Sequence, residues 1–180
     1  MRAVLVSEFG GPDQLRLSRA ADPVAGPGQV RIVVHAAGVN PVDAGNRADG
    51  RWARLRVPCI LGYDVAGVID SVGDGVSGLA PGDRVMAMTH FPDGAGGYAE
   101  LAAISTPELD LDPLLVANIT FHGVLIADDG DRTRALAALL DRQALQPVVS
   151  HVLPLAAAAE AHRILERRHA SGKIILDATG

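Results

Sequence analysis

Apolar residues come in short runs through the first hundred positions of the chain. MRAVLVSEF, LRLSRA, QVRIVVHAAGV, CILGYDVAGVIDSV, DRVMAM and GYAELAAI are divided by GGPD, PVAGPGQ, GDGVSG, APGD and FPDGAGG. Strands at this spacing, closed by Gly/Pro turns, predict a barrel or sandwich. Between them the stretch Asn40–Pro58 is polar and irregular, with one helical turn near Val42–Arg47. The period then changes. NITFHGVLI (Asn118–Ile126) reads as a strand, and Asp131–Leu145 places Ala135, Leu136, Leu139 and Leu140 at helical spacing behind Asp131 as N-cap. QPVVSHVLP is extended. Ala156–Ala170 is a second amphipathic helix with Leu155, Ala158, Ala159, His162 and Leu165 along one side; Gly172 stops it and KIILDA is a final strand.

GDGVSG (Gly73–Gly78) fits G-x-G-x-x-G, the dinucleotide-binding spelling, and follows the strand Val65–Val72. The motif works by opening a helix whose N-terminus receives the pyrophosphate. Here Leu79-Ala80-Pro81-Gly82-Asp83 follows, turn chemistry that cannot continue a helix, and Arg84–Met88 reads as another strand. The glycines are therefore expected to serve a β connection. GAGGYA (Gly94–Ala99) fails in the same way.

Composition narrows the function. The 180 residues carry a net charge of −5 and 3% aromatics, which argues against a nucleic-acid or anionic-membrane surface and against base-stacking platforms. A single cysteine, Cys59, rules out an intramolecular disulfide and multi-cysteine zinc sites. No apolar run approaches the ~20 residues of a membrane span, and a cytoplasmic protein is expected. Fifteen of the sixteen basic residues are arginine, with Lys173 the one lysine, a composition expected of a high-GC bacterial source.

Several segments together resemble the medium-chain dehydrogenase/reductases, in the zinc-free quinone oxidoreductase-like branch. They are VRIVVHAAGVNPVDAGNR, VPCILGYDVAGVIDSVGDGVSGLAPGDRVMAM, GGYAELAAIS, NITFHGVLI and LQPVVSHVLPLAAAAEAHRILERRHASGKIIL. The resemblance implies a mainly β fold with α elements: a chaperonin-10-like barrel over 1–105 and a short C-terminal strand-helix-strand-helix-strand remnant over 118–180 packing on it. It also implies a deletion. In the family a whole Rossmann domain lies between the segments matching GGYAE and ITFHGVLI, whereas here only the connection 106–117 stands between them, too short for a single βαβ crossover. No nicotinamide cofactor is then expected. No metal is expected either, because Asn40-Pro41-Val42-Asp43 and Gly62-Tyr63-Asp64 occupy the places where zinc-dependent members keep cysteine, histidine and glutamate.

The resemblance puts a substrate cleft at the barrel's edge, lined by Asn40, Asp43, Arg47, Trp52, Tyr63, Asp64, Thr89, His90 and Phe91. This set suffices for acid–base chemistry without a cofactor, with His90 as proton shuttle, Asp64 as base or orienter, and Tyr63 with Asn40 bonding a carbonyl oxygen. Each residue also has a purely structural reading, as turn, packing or surface residue. Three functions compete. The first is a non-redox isomerase, cyclase or dehydratase acting on an unsaturated carbonyl compound such as a polyketide. The second is a silent binding subunit or engineered deletion, and the third an NAD(P)H-dependent quinone oxidoreductase-like activity. A homodimer through Ile119–Ile126 is expected, since that strand has lost the sheet it would join.

Overall fold

A computed structural model of the chain describes residues 1–51, 53–89, 95–105, 130–167 and 171–180. They fall into two compact units, Met1–Thr106 with Val148–Gly180, and Pro107–Pro147. In the larger unit the alternating runs become strands β1 (Arg2–Val6), β2 (Leu15–Arg19), β3 (Gln29–Val39), β4 (Cys59–Ile60), β5 (Asp64–Val72), β6 (Arg84–Met88), β7 (Leu101–Ser105), β8 (Val149–Pro154) and β9 (Lys173–Asp177).

They form two sheets among the described residues. One has the order β2-β1-β4; the other runs β6-β5-β3-β9-β8, with β7 also on β3. Strand β3 organises the second sheet. One edge pairs with β5 from Val30 to Gly38; the other is shared, Gln29–Val33 with β7 and Ala36–Val39 with β9. Register shifts against β5 fall at Arg31/Ile32 and at Val34/Ala36, the second where β7 gives way to β9 along the other edge. The Ala3–Ala99 bridge joins the sheets. Alternation along the strands points Val4, Val6, Ile32, Val34, Ile69, Ile174 and Leu176 into one core.

GDGVSG lies in the connection between β5 and β6, with no helix after it. A Cβ on Gly73 would sit 1.8 Å from the Gly26 carbonyl oxygen, so this glycine is there to let two loops touch.

The irregular stretch after Asn40 holds a longer helix than the single turn expected, α1 (Pro41–Asp49). Its signals are Pro41 in the first turn, Asp43 accepting the Asn40 backbone N–H at 2.9 Å, and Gly50 as the left-handed cap. In the smaller unit, α2 (Gly130–Asp141) follows the expected apolar spacing. It already includes Asp131, so that residue is not its N-cap; the polar start extends one residue earlier than the spacing suggested. Back in the larger unit, a 3-10 turn Leu155–Ala157 leads into α3 (Ala158–Glu166), which buries Ala158, Ala161 and His162. The Ile119–Ile126 segment lies outside the described residues, as does 106–117. No helix among the described residues is long and apolar enough to cross a membrane.

Candidate functional site

Residues 40–64 divide into a surface cluster and a buried one. At the surface, Asn40 precedes α1, Asp64 opens β5 and Lys173 opens β9. Registration of Gly38 with both Asp64 and Ile175 brings these strand ends together. Asn40 Nδ2 donates to Asp64 Oδ2 at 2.8 Å, Lys173 Nζ donates to the same oxygen at 2.7 Å, and Lys173 also donates to Asn40 Oδ1. The Lys173 and Asp64 side chains are 36% and 44% exposed, so the cluster is open to water.

Beneath it the side chains turn inward. Gly62 has φ +96°, and a Cβ there would meet the Tyr98 ring at 2.4 Å, so the bend before β5 needs glycine. The bend sends Tyr63 into the core while Asp64 faces out, as alternation requires. Tyr63 Oη accepts from Asn46 Nδ2 at 2.8 Å. Thr89 is buried and donates to the Gly62 carbonyl at 3.2 Å.

A directed chain of hydrogen bonds runs through this interior. Arg47 donates through Nε to the Gly10 carbonyl (2.9 Å) and through NH2 to Glu166 (2.5 Å). Its NH1 lies 3.2 Å from His162 Nδ1; a guanidinium can only donate, so Nδ1 accepts. Burial, with the Arg47 charge adding to it, pushes His162 down to about 3, so the ring is neutral and its proton sits on Nε2. Nε2 donates to the Tyr98 hydroxyl at 3.2 Å, and that hydroxyl is turned to the Asp43 carboxyl. Asp43 is fully buried. Burial raises it to about 7, against hydrogen bonds from the Asn40 N–H, Tyr98 and the Gly62 N–H, while Asp64 adds to the rise. Burial likewise pushes the Tyr98 hydroxyl up.

The expected site residues therefore separate. Asn40 and Asp64 meet at the surface. Asp43, Arg47, Tyr63 and Thr89 are buried and satisfied by protein partners, because each fixes a turn or helix end that would otherwise leave polar groups unpaired. Trp52, His90 and Phe91 lie outside the described residues. Two open grooves mark the same unit. One, of about 580 Å³, is bordered by Arg2, Arg19, His35 and Glu100; the other, of about 370 Å³, by Leu55, Cys59, Ile60 and Thr89. His35, within β3, is exposed on the first groove. Asn40 and Asp64 stand on the sheet surface outside both.

Residues 26–109 match the alcohol dehydrogenase GroES-like domain. The quinone oxidoreductases of rat and human are each 48% identical over 103 residues, 57% of this chain and 30% of theirs. Among solved structures, the quinone oxidoreductase from Coxiella burnetii superimposes with a TM-score of 0.81 at 18% identity, over 98% of this chain and 99% of that one. An NAD-dependent alcohol dehydrogenase gives 0.77 at 20% identity.

Residues 26–109 form an alcohol dehydrogenase GroES-like domain, and through it the chain is similar to the medium-chain dehydrogenase/reductases.

Over the matched 103 residues it is quinone oxidoreductase-like, and it spans about a third of the length of the curated relatives it matches. A nicotinamide dinucleotide does not fit the glycine-rich turn of this dehydrogenase/reductase relative. The β5–β6 connection offers neither a helix N-terminus nor open space at Gly73. Among the described residues no group of three or more His, Cys, Asp or Glu could hold a metal ion. Sequence reasoning missed Lys173, Tyr98 and His162 as members of these clusters. His162 was visible as one position of an apolar helical stripe, but its partners are distant in sequence. Lys173 carried one signal, its rarity.

Proposed function

We propose that this quinone oxidoreductase-like barrel binds an unsaturated carbonyl compound at the Asn40–Asp64 rim and moves a proton on it without a resident cofactor. The observation that carries the reading is the Asn40 Nδ2–Asp64 Oδ2 contact at 2.8 Å, half-exposed on the sheet surface. An amide that can face a carbonyl oxygen there is held by a carboxylate that can accept a proton, which is the pairing that enolisable substrates require. Asp64 is the base in this reading, and His90 the shuttle to water. Tyr63 drops out of the reacting set, because its hydroxyl is taken up inside by Asn46.

The names of the matching relatives favour a second reading, in which the barrel is the substrate half of a redox enzyme whose nucleotide site another chain supplies. Two measurements decide. Titration with NADPH, followed by nicotinamide fluorescence, is expected to show no saturable change, and a micromolar dissociation constant would favour the redox reading. Binding of cyclic enones and quinones, measured by equilibrium dialysis, is expected to be saturable. On a substrate found in that way, Asp64→Asn is expected to lower turnover at least about 10²-fold with the circular dichroism spectrum intact. Wild-type turnover in Asp64→Asn would remove it as the base.

A further inference from the structure

We propose that Lys173 is the oxyanion-holding catalytic residue of an allylic isomerase site, whose substrates are small β,γ-unsaturated ketones. The inference rests on the reading of the Asn40–Asp64 rim given above and names its reaction.

An ammonium has three N–H groups, and Lys173 commits two, to Asp64 Oδ2 and Asn40 Oδ1. The third has no protein acceptor among the described residues, and the side chain is 36% exposed. Asn40 Nδ2 likewise commits one of its two N–H groups, to Asp64 Oδ2. All these contacts on Asp64 use Oδ2, so Oδ1 has no protein donor among the described residues. Two unspent donors, one charged, thus stand beside one unspent carboxylate oxygen, and the mutual contacts fix all three groups before a ligand arrives. The apolar side of the site is on the same sheet. Met88 is the cross-strand partner of Asp64 and Met86 that of Ala66, with both methionines more than half exposed. A ring lying over Met88 could place its carbonyl oxygen at Lys173 and its allylic C–H at Asp64, and thioether side chains adapt readily to flat ligands.

The step balances without a co-reactant. Asp64 Oδ1 takes the proton from the carbon between the carbonyl and the double bond. The C–H electron pair moves into the carbonyl, whose oxygen becomes an enolate held by Lys173 and Asn40. The dienolate then takes the same proton back from Asp64 at its far carbon. The double bond has moved into conjugation, and no atom or electron has been gained or lost.

The probe is cyclohex-3-enone, whose conversion to cyclohex-2-enone is read by ultraviolet absorbance. The wild-type chain is expected to convert it well above the buffer rate. Lys173→Met is expected to lose about 10²–10³-fold, as for removal of an oxyanion donor, and Lys173→Arg to recover part of that loss. Because the chain has one lysine, protein made with ¹³Cε-lysine carries a single side-chain signal. That signal is expected to shift saturably with cyclohex-2-enone while the circular dichroism of the variants stays unchanged. Lys173→Met turning over at the wild-type rate would overturn the role of the lysine while leaving Asp64 as base. Wild-type conversion at the buffer rate would overturn the isomerase inference, and if enones still bind in dialysis the reading of the rim survives it.

Discussion

Asp43 and His162 titrate in opposite directions across one tyrosine hydroxyl. Asp43 binds its proton more tightly in the fold, up to about 7, so it favours the native state below the ordinary carboxylate range, and that contribution is lost as pH rises to about 7. His162 is held neutral down to about 3, so its contribution is complete above the ordinary imidazole value and is lost as pH falls towards 3. Between about pH 4 and 6.5 the two slopes oppose, and the parent's stability should vary little with pH from this pair. Single variants should separate them. Relative to the parent, Asp43→Asn is expected to gain stability with rising pH across that window by about 1.4 kcal/mol per pH unit, and His162→Gln to lose it at a similar slope. Urea denaturation at half-unit pH steps measures both, and parallel curves for all three proteins would show that the pair is uncoupled from folding. The sequence disclosed His162 as a buried position through its place on an apolar stripe. It could not disclose the tautomer, which depends on Arg47 reaching it from another helix.

At the scale of elements, α1 and α3 are tied by a side chain that the sequence reading had assigned to substrate. Arg47 is 4% exposed and reaches the Gly10 carbonyl, His162 and Glu166 at once. Arg47→Met should destabilise the fold by an amount near the low end of the ~3–5 kcal/mol typical of broken buried pairs, because Glu166 is 40% exposed and can rehydrate. A loss below about 1 kcal/mol, read from the urea midpoint at constant m-value, would free Arg47 for ligand binding. The strands themselves were legible, since alternation and Gly/Pro turns are local signals. Helix α1 was legible in its capping residues, yet its polar composition masked it: only Asp43, Asn46 and Arg47 face inward, and none is apolar. The rim at Lys173 was not legible, because its three residues meet only after β3, β5 and β9 are registered.

For the whole molecule, the deciding arrangement is the shared edge of β3. Ile174 and Leu176 from β9 enter the same core as Val4 and Ile32 from the start of the chain. Leu176→Ala and Ile32→Ala should each cost about 2–5 kcal/mol. In each variant, far- and near-ultraviolet circular dichroism should lose their signals in one coincident transition. Two separated transitions in Leu176→Ala would mean that the C-terminal segment is an independent layer.

That shared edge also sets a clock on synthesis. A ribosome adds roughly 5–20 residues per second, so β3 leaves it on the order of ten seconds before β9 has been made. Throughout that wait the Ala36–Val39 edge is unpaired and the face that Leu176 will cover is wet. The nascent chain is therefore a client for any holding chaperone that recognises apolar extended segments, and translation speed downstream of β7 governs how long it needs one.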